Sequence, residues 1–428
     1  MKLLPETSLL ASQGDSASHL LSANASSLIQ MPPRQFIYGL HAKTDEAKSL
    51  YQGCDQSLAS ALRSEGRKFP HVIVVGVQKG GTNSLKSMLQ TSIYNISCGP
   101  PDEVHFFDQY RWINKTIDKA AALKYLQRWE GCPQEYHDRA ETHIRFEKTP
   151  DYMTQLWTPM RSCEALGKNQ KFILMLREPV ARSYSSFYNG RRVFKEIPYN
   201  TSGFHLFSTI ELRLVEECDP LPRGPLIGDD AVRAASFRTC CKRLTNEMGL
   251  ENQHYPGCGC DDEAMAEGES GFHCTLFGDK RASQVRHSVY APYLRLWLRS
   301  HPTENLMIFR SEDFFAASRA VLREMASFAR PELADFYHQT HIREQHTHET
   351  KYQSYMLFKT EVMLQAFFQV YNEDLEGLLG HQMNWHYPNL TTSALDYDPT
   401  TGTHVPTTDV DPVVGDESGD AAPTISGK

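Results

Sequence analysis

Residues 71–89 read HVIVVGVQKGGTNSLKSML. The β-branched run Val72–Val75 stops at Gly76, and a short apolar run bounded by glycine suits a strand buried on both faces. Beyond the glycines, Leu85, Met88 and Leu89 are spaced to share one face of a helix that opens near Thr82-Asn83. The stretch is therefore a strand, a glycine-bearing loop and a helix. Gly80 and Gly81 can adopt conformations that a side chain forbids. Successive N–H groups can then turn inward around an anion, and the helix N-terminus adds roughly half a positive charge. Lys79 supplies a mobile cation and Thr82 a hydroxyl, which makes Lys79, Gly80, Gly81, Thr82 and Asn83 the candidate anion-binding set. The bland alternative is a tight turn without a ligand. Spacing separates this loop from two familiar phosphate binders. A Walker loop places its Lys after the glycines, whereas Lys79 precedes them. A dinucleotide loop reads G-x-G-x-x-G, and Gly76 is followed by three other residues before Gly80.

Working outward, Phe172–Leu176 is a second apolar run ending at Arg177, and Leu306–Phe309 a third ending at Arg310. Pro179 suits the first position of a helix whose stripe is Val180, Tyr184, Phe187 and Tyr188. Tyr290, Tyr293, Leu294, Trp297 and Leu298 mark another helix, and Leu364, Phe367, Phe368, Tyr371, Leu375 and Leu378 a long one. This alternation predicts an α/β protein with a central parallel sheet flanked by helices in three layers, a P-loop NTPase-like arrangement. Arg177 falls at a strand's C-terminal end, the crevice side of such a sheet, and Ser185 lies within the following helix. An Arg fork and a hydroxyl suit a phosphate monoester. Arg182 reads equally as a further contact or as a solvated helix position.

Taken together, these residues resemble the sulfotransferases that use 3′-phosphoadenylyl sulfate. Gly76–Thr82 is similar to that family's 5′-phosphosulfate loop, whose Lys contacts the bridging oxygen. The stretch from Arg177 to Ser185 is similar to its 3′-phosphate motif. Between them, Pro101–Asp108 (PDEVHFFD) resembles the K-E-x-H-F-F-D segment of Golgi carbohydrate sulfotransferases, especially those acting on glycosaminoglycans. The resemblance makes Glu103 the base for the acceptor hydroxyl, with His105 as competitor or as a structural histidine. Asp102 stands where the family carries Lys, which removes a positive charge near the acceptor. Glu147–Tyr152 (EKTPDY) resembles the E-K-[ST]-P-x-Y element and makes Lys148 a catalytic candidate; Asp151 and Tyr152 read equally as cap and core. Lys351 and Tyr352 stand where relatives carry a nucleotide-covering K-G-x-x loop, with Tyr in place of Gly. The basic cluster Gly190–Lys195 is read as solvated surface or as an acceptor contact. The resemblance covers about residues 69–388 and implies 3′-phosphoadenylyl sulfate as co-substrate. The transferred group carries less negative charge than a γ-phosphoryl, so fixed cations can serve without a metal.

With 428 residues, 40% of them hydrophobic, the chain can bury an ordinary core. A net charge of −8 disfavours nucleic acid as a partner, so a basic site would be local. The expected partner is a glycan, either an anionic polysaccharide or a glycoprotein glycan; oligomeric state is left open. No run of 18 apolar residues occurs to span a membrane, and the start is a poor signal peptide. Ten cysteines and sequons at Asn24, Asn95, Asn114, Asn200 and Asn389 point to the secretory pathway, and the resemblance to the Golgi lumen. Residues 1–68 read as a stem or poorly ordered lead-in, 69–390 as the sulfotransferase domain, and 391–428 as a disordered tail. A polar, loop-like insertion at 213–280 holds six cysteines, read as disulfides rather than a zinc site. Two other functions compete. A nucleotide phosphotransferase requires the Walker order that is missing, and a non-catalytic nucleotide- or glycan-binding relative would bind without transfer.

Overall fold

The computed structural model describes residues 41–91, 97–109, 112, 115–129, 143–189, 197–218, 221, 227–248, 258, 274–275, 278–279, 283–339, 355–385, 387, 397–398 and 403–404. All fall within one compact unit, Ile37–Lys428. Strands β1 (Val72–Gly76), β2 (Ser97–Cys98), β3 (Ile144–Lys148), β4 (Lys171–Leu176) and β5 (Leu306–Arg310) form one sheet in the order β2-β3-β1-β4-β5. Every pairing is parallel, with Val74 opposite Lys148, Val72 opposite Lys171 and Ile173 opposite Met307. Parallel neighbours require crossover connections, and helices supply them.

The helices, in chain order, are α1 (Asp45–Ser49), α2 (Ser57–Ser64), α3 (Thr82–Thr91), α4 (Lys119–Leu126), α5 (Thr158–Leu166), α6 (Pro179–Asn189) and α7 (Thr201–Cys218). They continue with α8 (Ile227–Glu247), α9 (Tyr290–Ser300), α10 (Ser311–Ala316), α11 (Ser318–Ala329), α12 (Ala334–Gln339) and α13 (Phe358–Leu379). Strand alternation divides the core in two. Ile73, Val75, Phe172, Leu174 and Ile308 pack with Phe187 of α6, Trp297 of α9 and Phe368 of α13. Val72, Val74, Ile173, Met175 and Phe309 pack on the other face with Leu85 and Leu89 of α3 and Leu322 of α11. The result is the expected three-layer α/β fold.

Two boundaries differ from the sequence reading. Residues 41–68 are not lead-in: α1 and α2 bury Ala47, Ala59 and Leu62, and Cys54 is bonded to Cys163 of α5. Thr44 caps α1 by accepting from Ala47 N at 3.1 Å, and its hydroxyl donates to Leu378 O at 2.8 Å. Burial through small residues on two short helices leaves little apolar period to read. The insertion is likewise not loop throughout. The 21-residue helix α8 buries Phe237, Cys241, Leu244 and Thr245, which fall on one helical face. The disulfides Cys218–Cys240 and Cys241–Cys258 fasten it to its surroundings, and no described cysteine is free. Of the tail, Tyr397–Asp398 and Thr403–His404 pair antiparallel.

Candidate functional site

In a parallel sheet all C-terminal strand ends lie along one edge, where open α/β folds place their ligand crevice. Gly76, Lys148, Leu176 and Arg310 end four of the strands there. The loop after β1 is shaped by close backbone approach. A Cβ on Gly80 would meet Met175 O at 2.5 Å and Val77 O at 2.9 Å, so no larger residue fits without movement. Gly81 has φ +90°, and Lys79 itself sits at φ +69°, a left-handed conformation that a non-glycine residue rarely holds. Val77 N donates to Met175 O at 2.8 Å, and Gly80 N closes the turn onto Val77 O at 2.9 Å. Gly80 N–H therefore serves the loop's shape. Thr82 is buried as α3 begins, and Asn83 is exposed beside it.

Residues distant in sequence grip this loop. Arg177 Nη1 donates to Lys79 O at 3.2 Å, and the Ser311 hydroxyl donates to Gly80 O and to Leu176 O. Arg182 is not a solvated helix residue: it is buried, and donates to Gln78 O at 3.0 Å, Gln284 O at 2.7 Å and Ser288 Oγ at 3.2 Å. Arg182 and Ser311 thus fix the loop's outer turn. Ser311 carries a readable signal, since it directly follows a strand end; the burial of Arg182 has none. Burial lowers the Lys79 pKa, and the nearby Arg177 and Arg182 charges lower it further. Ser185 lies on the helix that leaves Arg177. Its side chain is 1% exposed, and its hydroxyl finds no hydrogen-bond partner among the described residues. A buried hydroxyl without a partner, beside a loop whose backbone leaves no space for a Cβ, fits a polar ligand group arriving from outside.

The second half of the site is built on the segment before α4 and on the end of β3. Lys148 Nζ donates to Asn83 Oδ1 at 2.6 Å and pairs with Glu103 Oε1, which joins the acceptor-side residues to the anion loop. His105 Nε2 lies 3.2 Å from Glu103 Oε2, and its Nδ1 donates to the buried Asp108 at 2.7 Å. Burial alone would raise the Glu103 carboxyl, but the bonds from His105 and Lys148 outweigh it and hold the pKa below the ordinary value. Asp102 is offset from a neighbouring element: Lys86 of α3 bonds to Pro101 O and feels both Asp102 and Glu103. Glu103, His105 and Asp151 offer one ligand atom each within 4.8 Å, so a cation could lodge there only in competition with Lys148. Tyr152 is core and a hydrogen-bond partner at once, buried and accepting from Phe106 N at 2.9 Å. The candidate residues Lys351 and Tyr352 lie outside the described residues, as does the basic cluster 190–195.

The Sulfotransferase domain family pattern matches residues 69–368. Heparan sulfate glucosamine 3-O-sulfotransferase 3A1 of Homo sapiens is 31% identical over 135 residues, covering 31% of this chain and 28% of the relative. Membrane-associated sulfotransferase kil1 of Dictyostelium discoideum is 24% identical over 343 residues, covering 74% of this chain and 66% of the relative. The chain thus spans less than a third of the human relative's length and about two thirds of the Dictyostelium one. The crystal structure of a sulfotransferase from Alicyclobacillus acidocaldarius aligns at 15% identity with a TM-score of 0.43, covering 74% of this chain and 99% of that one.

Proposed function

Because the chain belongs to the sulfotransferase-domain family, we propose that it moves a sulfuryl group from 3′-phosphoadenylyl sulfate to a hydroxyl of a carbohydrate. The carrying observation is the direct bridge between the two halves of the site: Lys148 touches both Asn83 of the anion loop and Glu103. A donor group held by the loop and an acceptor hydroxyl at Glu103 would meet across that lysine. When bound, 3′-phosphoadenylyl sulfate supplies the sulfuryl group and leaves as 3′-phosphoadenosine 5′-phosphate.

The roles of the chain's own groups follow from chemistry and position. Sulfuryl transfer resembles a loose in-line phosphoryl transfer, so positioning and charge dominate. Lys79 and the N–H groups of Gly81, Thr82 and Asn83 hold the 5′ end and stabilise charge growing on the leaving oxygen, an effect typically worth about 10²–10³-fold for one donor. Arg177 and Ser185 hold the 3′-phosphate. Glu103 is ionised at neutral pH and takes the acceptor proton as the new bond forms, typically worth about 10²–10⁴-fold. A base of lowered pKa suffices, because the hydroxyl becomes strongly acidic as sulfur approaches. His105 holds and orients Glu103, and Lys148 steadies charge between donor and acceptor. Three disulfides among the described residues support synthesis in the secretory pathway, with the Golgi lumen as the working compartment. No helix among the described residues is long and apolar enough to cross a membrane. The names of the relatives make a glycosaminoglycan-type chain the first acceptor to try.

A radiolabelled-sulfate transfer screen over chondroitin, dermatan, heparan and neutral glycans tests this reading. Transfer to at least one, lost by about 10²-fold or more in Glu103→Gln, is the expected result. No transfer to any class, or an unchanged rate in the variant, would overturn it.

A further inference from the structure

We infer that Thr149 and Tyr152 are positioning residues for the base, their hydroxyls pinning the backbone on either side of His105 while the buried Glu147 carboxylate orients that of Thr149. The inference rests on the function proposed above. Glu147 is the penultimate residue of β3, buried, and it hydrogen-bonds to neither Glu103 nor the anion loop. Its Oε1 accepts from Thr149 Oγ1 at 3.0 Å, and its Oε2 accepts from the hydroxyl of Tyr125.

The Thr149 hydroxyl is shared with the loop that carries the base, and the Tyr152 hydroxyl holds the same loop. Thr149 Oγ1 accepts from Val104 N at 3.1 Å, and Tyr152 Oη accepts from Phe106 N at 2.9 Å, with Phe107 N at 3.4 Å. A hydroxyl has one hydrogen to give. If it accepts from a backbone N–H and is buried, that hydrogen needs an acceptor elsewhere, and for Thr149 the Glu147 carboxylate supplies it. Glu147 thereby keeps the Thr149 hydrogen turned away from Val104 N–H and leaves a lone pair facing it.

The residue between these two anchors is His105, whose backbone sits at φ +47°. A left-handed conformation at a non-glycine residue costs about 1–2 kcal/mol and persists only where neighbours over-determine it. Here it turns the ring so that Nδ1 meets Asp108 at 2.7 Å while Nε2 lies 3.2 Å from Glu103. Gln109 Nε2 donating to His105 O at 2.7 Å and Trp112 Nε1 donating to Phe106 O at 2.6 Å hold the far side of the same turn. The aromatic stack Phe106–Tyr125–Trp129, with centroids 4.8 and 4.9 Å apart, keeps Tyr125 against Glu147 and water out. The chain of contacts therefore runs from Glu147 through Thr149, and separately from Tyr152, to the backbone flanking His105, and from the His105 ring to the base.

The test compares wild type, Thr149→Ser, Thr149→Val and Thr149→Val/Tyr152→Phe by three readouts: 3′-phosphoadenosine 5′-phosphate affinity, the downfield Nδ1–H resonance of His105 in ¹⁵N-histidine protein, and kcat. Thr149→Ser keeps the hydroxyl and should match wild type in all three. Thr149→Val should weaken the resonance and lower kcat about tenfold, and the double variant should lose the resonance and about 10²-fold in kcat. Nucleotide affinity should stay within twofold throughout, which separates a positioning effect from general loss of structure. If the double variant does not fold, Thr149→Val against Thr149→Ser carries the same comparison. An unchanged resonance and kcat in folded Thr149→Val would overturn the inference, as would equal losses in Thr149→Ser. If wild type transfers no sulfate, the proposed function fails, while the resonance still reports on the Thr149 and Tyr152 hydroxyls.

Discussion

Replacing Ser185 by Ala should make the free protein more stable and the nucleotide complex less so. The Ser185 hydroxyl is 1% exposed and finds no partner among the described residues. An unsatisfied buried polar group costs about 1–3 kcal/mol, so removing it should raise unliganded stability by about 1 kcal/mol. For a unit of this size that is a rise in Tm of roughly 2 °C. If Ser185 donates to the 3′-phosphate, the variant forfeits a hydrogen bond to a charged group, about 1.5–3 kcal/mol, and Kd rises roughly 10- to 100-fold. Stabilisation by a ligand grows with its concentration relative to Kd. The two melting curves should therefore exchange order: the variant melts later alone and earlier in saturating 3′-phosphoadenosine 5′-phosphate. Calorimetry at several nucleotide concentrations reads both signs in one series. A variant that is less stable without nucleotide, or that gains as much from nucleotide as wild type, would refute the argument.

Three further outcomes follow from the geometry. Glu103 lies below the ordinary carboxyl value of 4.5 and Lys79 below the ordinary ammonium value of 10.5, so the window in which base and cation coexist opens below pH 4.5 and closes below pH 10.5. In a pH profile of kcat/KM the acid limb should lie below pH 4.5, where Glu103 becomes protonated and cannot accept, and the alkaline limb should begin below pH 10.5, where Lys79 loses its charge; an acid limb above pH 5 would assign the base elsewhere. Gly80→Ala drives a methyl to 2.5 Å from Met175 O, a backbone atom that cannot swing aside, so nucleotide affinity measured by calorimetry should fall more than tenfold, with about 1–3 kcal/mol lost from stability. Cys54→Ser/Cys163→Ser opens a bridge between residues 109 apart and should cost about 2–4 kcal/mol in urea unfolding, with catalysis retained in the folded fraction.

Much of this architecture was legible because its signals are local. The runs at 72–75 and 172–176 are buried central strands, the run at 306–309 is a buried edge strand, and the glycines at 80 and 81 sit where the backbone requires them. Pro179 does open a helix. What sequence reading missed depends on long-range contact. Arg182 looks like any helix-surface arginine until α6 is packed against 284–288. The helices α1 and α2 are only five and eight residues long, yet their burial, with the Cys54 bridge, extends the folded unit back to residue 41. The loop-like reading of 213–280 failed because cysteine and threonine share the inner face of α8 with Phe237 and Leu244. On the acceptor side, the Glu103–His105–Asp108 spacing was visible as a pattern, but the second hold on the loop from Thr149 and Tyr152 was not.

The grip on the loop after β1 has a temporal side. Its glycines leave the ribosome early, yet the hydroxyl that ties down Gly80 O belongs to Ser311, 231 positions later. At the usual pace of about 5–20 residues per second, that interval is roughly ten to fifty seconds of translation. Until then the bonds with Met175, Arg177 and Arg182 hold the nascent loop without the Ser311 tie. Competence for the chemistry arrives late in synthesis, after the strand that closes the sheet.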